Sequence, residues 1–261
     1  MKLAYAAFVV GTLAAANTVS AEIIPTAGIA ITEVDPFGAS NGYGASWFEL
    51  TDVGPHAAST QGLSMADNRA SSDPTDPYAP GQIISSAGSN RPLAPLNLVN
   101  GPVVLQPGQS AIFLESPADA ADSQPLIQAF EQAWFGNNVP SGLLIGVYND
   151  TSLGNYPLSG SDNMVNIFDG TQSNIASVRF LSDGSTLSTF DNAAGLNDVT
   201  LTQRSVAGEN GAFVSASGTE IGSPGTIGVV PLPGASGLLL SGLGALGLVV
   251  LGRRKLPALP G

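Results

Sequence analysis

The chain has no cysteine, one histidine and little charge: 11% of its 261 residues are Asp, Glu, Lys or Arg. Without cysteine there is no disulfide, no thiol nucleophile, no iron–sulfur cluster and no cysteine-ligated zinc, so stability rests on core burial. The single imidazole, His56, sits beside Pro55 in a turn-like setting, which leaves no His-rich metal site and weakens any catalytic triad. Lysine occurs only at Lys2 and Lys255, at the two extremities. All 20 acidic residues lie between Glu22 and Glu220, where only Arg69, Arg91, Arg179 and Arg204 oppose them. That stretch is therefore more acidic than the net −12 of the whole chain. Such a surface repels phosphate backbones, so no nucleic-acid partner is expected. No glycine-rich stretch ends in the Lys-Ser/Thr of a phosphate loop, and no Gly-x-Ser-x-Gly elbow finds a histidine.

Long hydrophobic runs are confined to the two ends. Lys2 gives a minimal positive start, residues 3–16 are apolar, and Val19-Ser20-Ala21 offers the small-x-small pattern read by signal peptidase. Residues 1–21 are thus expected to be a signal peptide, cut after Ala21. Residues 235–252 carry no charge and reach the lower end of a bilayer span, which takes roughly 17–25 residues. Arg253, Arg254 and Lys255 follow at once, and such clusters stay on the cytoplasmic side. The expected layout is an exported body, a transmembrane helix over 235–252 and a basic cytoplasmic tail over 253–261.

Between the ends, glycine and proline are frequent and short apolar-alternating runs recur, which predicts an all-β body, a sandwich or barrel and not a parallel sheet. Residues 28–34 alternate Ile29, Ile31 and Glu33 on one face against Ala30, Thr32 and Val34. Residues 46–52 set Trp47 and Glu49 against Phe48 and Leu50. Further strands are predicted at 61–66, 102–105, 110–115, 143–148, 164–169, 175–181, 198–204 and 212–215. One short helix is predicted after Pro125, where Leu126, Phe130, Ala133 and Trp134 share a face. Ser123 or Pro125 suits its start and Gly136-Asn137-Asn138 its end. Its Phe130 and Trp134 would cap an open end or edge of the sheets. Residues 68–100 and 182–197 look like insertions, and 218–229 like an exit into a linker.

Glu33 and Glu49 fall in consecutive strands and would face each other across the pair. Two carboxylates in a cleft can do acid–base work, although a structural role is favoured. Calcium is the other chemical candidate. Asn68, Asp73 and Asp76 lie in one loop, and Asp162, Asn163 and Asp169 near a turn and strand, giving the oxygen ligands a hard cation takes. Asp and Asn are also ordinary turn residues, and no twelve-residue calcium loop is present. Tyr43, Tyr78 and Tyr156 are loop aromatics available for stacking on sugars.

The tail resembles the PEP-CTERM class of sorting signals, in its VPLPA-CTERM variant. Val230-Pro231-Leu232-Pro233-Gly234 precedes the apolar segment and the Arg253-Arg254-Lys255 cluster; Gly234 stands where that variant has Ala, and 256–261 extend past the basic end. The prolines keep the motif extended and open to a protease. The resemblance implies processing by an exosortase-type membrane protease, with 228–234 as linker and sorting motif.

The body resembles the lamin-tail domain, an immunoglobulin-like β sandwich, over 28–227. The residues that carry this are Ile29-Ala30-Ile31-Thr32-Glu33-Val34, Trp47-Phe48-Glu49-Leu50, Leu105-Gln106-Pro107-Gly108 before Ala111-Ile112-Phe113-Leu114, the 130–136 and 160–169 stretches, and Gly222-Ser223-Pro224-Gly225. Together the resemblances imply a non-enzymatic protein of the cell surface or extracellular matrix, structural or adhesive, meeting exopolysaccharide or other surface proteins, with no cofactor. A calcium-dependent carbohydrate-binding module and an exported hydrolase are the alternatives; carboxylates of raised pKa clustered in a pocket would favour the hydrolase.

Overall fold

The computed structural model describes residues 28–36, 42–67, 93–101, 103–117, 122–149, 158, 163–180, 188–191 and 199–226. The leader 1–21, the motif 230–234, the apolar segment 235–252, the basic end 253–261, and Asp73, Asp76, Asp162, Tyr78 and Tyr156 lie outside the described residues. Among the described residues no helix is long and apolar enough to cross a membrane.

The described residues are mostly β. In chain order the strands are β1 (Ile29–Asp35), β2 (Trp47–Asp52), β3 (Ala58–Ser59), β4 (Ser64–Asp67), β5 (Ala94–Pro95), β6 (Asn97–Leu98), β7 (Val104–Leu105) and β8 (Ser110–Ser116). Helix α1 (Gln124–Phe135) follows, then β9 (Ile145–Asn149), β10 (Asn163–Phe168) and β11 (Asn174–Phe180). The last are β12 (Phe190–Asp191), β13 (Val199–Leu201), β14 (Phe213–Val214) and β15 (Ile221–Gly222). One sheet has six strands in the order β12-β1-β2-β8-β9-β6, and a second has five, β13-β11-β10-β4-β5.

Side chains alternate across each strand, so each sheet has an inner and an outer face. Phe48, Leu50, Ala111 and Phe113 of the first sheet meet Met65, Val165, Ile167, Val178 and Phe180 of the second, all fully buried, in one apolar core. Strands β8 and β9 are parallel neighbours, and parallel neighbours need a crossover. Helix α1 is that crossover. It lies over the outer face of the six-stranded sheet, where Ile127, Phe130 and Trp134 pack with Trp47, Ile112, Leu114 and Val147.

Five expectations change here. The aromatics of α1 cover a sheet face instead of capping an open end, because the parallel connection carries the helix across the sheet. Its buried stripe is led by Ile127, with Leu126 half-buried. Parallel pairing does occur, at β8–β9 and β11–β13. The stretches read as insertions hold β5, β6 and β12; Pro95 is accommodated because β5 is an edge strand, where a missing N–H costs no ladder bond. The 218–229 stretch is no free exit at its start, since β15 pairs with β14 and residues beyond it pack back on the sheet.

Candidate functional site

The site is on the outer face of the six-stranded sheet, beside the helix-covered half. Strands β1 and β2 pair antiparallel with Ile31 opposite Leu50, and then the register shifts so that Glu33 stands opposite Glu49. The shift is a β-bulge at Thr32. It returns Val34 to the inter-sheet core with Ile29 and Ile31, where strict alternation would have turned it outward. Thr32 and Glu33 both face away from that core, so two carboxyl groups and a hydroxyl meet on one side.

Both carboxyls are sealed, with Glu33 at 0% and Glu49 at 1% exposure. Residues 221–226, the strap that follows β14, lie over them. The Ser223 amide donates to Glu33 Oε1 at 2.8 Å and its hydroxyl to Glu33 Oε2 at 3.2 Å. The Gly225 amide donates to Glu49 Oε2 at 2.6 Å. Thr189 Oγ1 donates to Glu33 Oε1, and Thr32 Oγ1 to Glu49 Oε1 at 2.6 Å. Two glycines make this approach feasible. A Cβ on Gly222 would stand 2.5 Å from Glu33 Oε1 and 2.9 Å from Trp134 Cη2, and Gly225 has φ +74° with no room for a Cβ beside Leu143.

Burial is the main cause that pushes the Glu33 carboxyl well above its ordinary range, with Glu49 next; bonds from Thr189 and Ser223 pull it back, and Asp191 pushes it up again. Burial likewise raises Glu49 to about 7, against the pull of Thr32, Gly225, Ser110 and Thr51. No cation is among the groups that set either carboxyl. Two adjacent charges in an apolar setting cannot both ionise cheaply, so burial favours the protonated form of the pair.

Next to the pair, Tyr43 joins the helix to the sheet. Its oxygen accepts from Trp47 Nε1 at 2.9 Å and Trp134 Nε1 at 3.1 Å, and donates to Glu220 Oε1 at 2.8 Å, with Asp35 Oδ2 3.4 Å away. Burial first, then Asp35 and Glu220, raises its phenol well above the ordinary value. Expected as an exposed sugar-stacking ring, Tyr43 is instead buried and edge-on to Phe130, because its hydroxyl is the shared acceptor of two indoles.

A cleft of about 320 Å³ opens between the 107–110 turn and the 140–143 loop, with Gly225 and Ser110 in its wall. Ser110 Oγ is 2.7 Å from Thr51 Oγ1, which is 2.8 Å from Thr32 Oγ1. A chain of hydroxyls thus runs from the cleft to Glu49.

Of the calcium candidates, Asp169 is described. It is half-buried, and its Oδ1 accepts from Thr171 N, Thr171 Oγ1 and Ser173 N at 2.8, 2.7 and 3.0 Å, closing the β10–β11 hairpin. These bonds, Thr171's hydroxyl foremost, hold its carboxyl below the usual range. Among the described residues no group of three or more His, Asp or Glu side chains is placed to hold a metal ion.

That Glu33 and Glu49 meet was read from their places in consecutive strands; strict alternation set Glu33 with Ile29 and Ile31, and it is the bulge at Thr32 that turns it outward to Glu49. Thr189, Ser223 and Gly225 were not assigned to the site, although the Gly-Ser-Pro-Gly run marked an unusual backbone. Glu49 and Thr51 share a face by simple period-two spacing, a signal that would have found the hydroxyl chain. Compared with known proteins, the chain matches no family model, no curated sequence and no solved structure.

Proposed function

We propose that this chain is an exported cell-surface or extracellular-matrix protein with a structural or adhesive role. Its body is read as an immunoglobulin-like, lamin-tail-like β sandwich, and its tail as a sorting signal cut by an exosortase-type membrane protease after signal peptidase removes 1–21. The supporting observation is the fate of Glu33 and Glu49: their oxygens are taken up by the chain's own strap. In sequence, only Ile227, Gly228 and Val229 separate the strap from Val230. Carboxyls spent on fixing the point where the chain leaves the sheet serve a scaffold better than a reaction.

The motifs quoted for the lamin-tail resemblance support the same reading. Thr32-Glu33, Glu49 and Gly222-Ser223-Pro224-Gly225 are far apart in sequence and converge on this one site. An exported hydrolase is the second reading, because Glu49, raised to about 7, is linked to a cleft by hydroxyls. Against it, a substrate would have to displace the strap to reach either carboxyl. Mass spectrometry of the chain from surface and medium fractions tests the proposal. A mature N-terminus at Glu22 and a new C-terminus near 230–234 are expected; an intact chain recovered from the cytosol overturns it.

A further inference from the structure

We propose that Glu33 and Glu49 form a proton-gated clamp on residues 221–226, closed while the pair holds a proton and opened when it loses the last one. The geometry carries this. The two carboxyls occupy paired register positions, both are sealed, and the strap's backbone lies directly on them through the amides of Ser223 and Gly225. A second negative charge there meets no cation among the described residues, and hydration is its cheapest relief. The strap meets the pair through two amides, whereas the opposite side is the inter-sheet core, so water enters by lifting the strap.

The groups facing the pair from each side reinforce this sense. Strand β12 presents Asp191, and Glu220, just before the strap, accepts from Tyr43; β8 offers the Ser110 hydroxyl and α1 the Trp134 ring. Arg204 is engaged elsewhere, 3.6 Å above the Phe190 ring and donating to Ser188 O. Protons reach the sealed pair along Ser110, Thr51 and Thr32, each hydroxyl able to accept and donate. The direction agrees with the raised carboxyls: the closed form binds more protons than the open one, so closure weakens as pH rises from the ordinary carboxyl range through about 7, where Glu49 titrates, with Glu33 adding to the loss in the same sense. On the proposed function, which this consequence rests on, the clamp would set how freely the 230–234 motif is offered for cutting.

Hydrogen–deuterium exchange of the full-length chain in detergent, read at the strap's amides from pH 5 to 9 and corrected for intrinsic rates, tests the clamp. Protection is expected to fall at least tenfold across that range. Glu49→Gln and Glu33→Gln should each flatten the profile, and β10–β11 amides should not follow it. Strap protection independent of pH in the unmutated chain overturns the clamp, whether or not either variant folds. Trp134 touches the strap, so its fluorescence after a pH jump reports opening; Thr51→Val should slow that relaxation at least tenfold, and an unchanged rate removes the hydroxyl route. Tail cutting without pH-dependent protection sinks the clamp alone. Protection that follows pH in a chain never cut sinks the sorting proposal alone.

Discussion

From one face of β2, Phe48 and Leu50 enter the apolar core between the sheets; from the other, Trp47, Glu49 and Thr51 lie under the helix and the strap. The inner face is built from side chains that need only volume and contact. The outer face under the strap is built from donors and acceptors, each of which needs a named partner at a stated distance. Both are fully buried, so burial alone does not distinguish them. What distinguishes them is the response to change: the first should answer to size, the second to protonation and to single atoms.

The largest expected effect belongs to the inner face. Phe113→Ala should cost about 3–5 kcal/mol, equally at pH 5 and pH 8, in denaturant titrations. A strong pH dependence of that loss would break the contrast. The outer face should give the next effect with the opposite character. A carboxyl whose folded pKa is raised stabilises least when pH exceeds it, so Glu49's contribution is intact below about 4.5 and is lost as pH climbs to about 7. Glu49's share of the unfolding free energy should fall by about 3 kcal/mol over that window, and Glu49→Gln should remove that share of the slope while Glu33's remains.

Backbone contact comes third. Gly222→Ala places a methyl against Glu33 and Trp134 and should cost about 1–3 kcal/mol, with loss of strap protection but little change in β10–β11 exchange. Tyr43→Phe, which strips two indole donors of their acceptor, should cost about 1–3 kcal/mol and shift tryptophan emission. Ser223→Ala removes one hydroxyl bond and should cost about 1 kcal/mol, since its amide remains on Glu33.

Sequence patterning reached the inner face more readily than the outer one. Period-two alternation placed Phe48 and Leu50 against Trp47 and Glu49, and helical spacing found Phe130 and Trp134. Val34 escaped because a bulge at Thr32 adds a residue that alternation does not count. Helix α1 was found but not its seat, which depends on the parallel pairing of β8 with β9, a long-range fact with no local signature. Tyr43 was misread for a related reason: a loop tyrosine and a buried one look alike until the indoles that need its oxygen are in place. The pairing of Glu33 with Glu49 was visible, while their use by Ser223 and Gly225 joins positions too distant for any periodicity to connect.

The central claim is that a buried carboxyl pair keeps a proton near neutrality and with it holds the strap. Infrared spectroscopy of the full-length chain with isotope-labelled glutamate addresses it directly. A protonated-carboxyl band persisting at pH 6 to 7, reduced in Glu33→Gln or Glu49→Gln, absent when both are replaced, and lost at pH 9, is the predicted result. A spectrum at pH 6 showing only ionised glutamate would contradict the account.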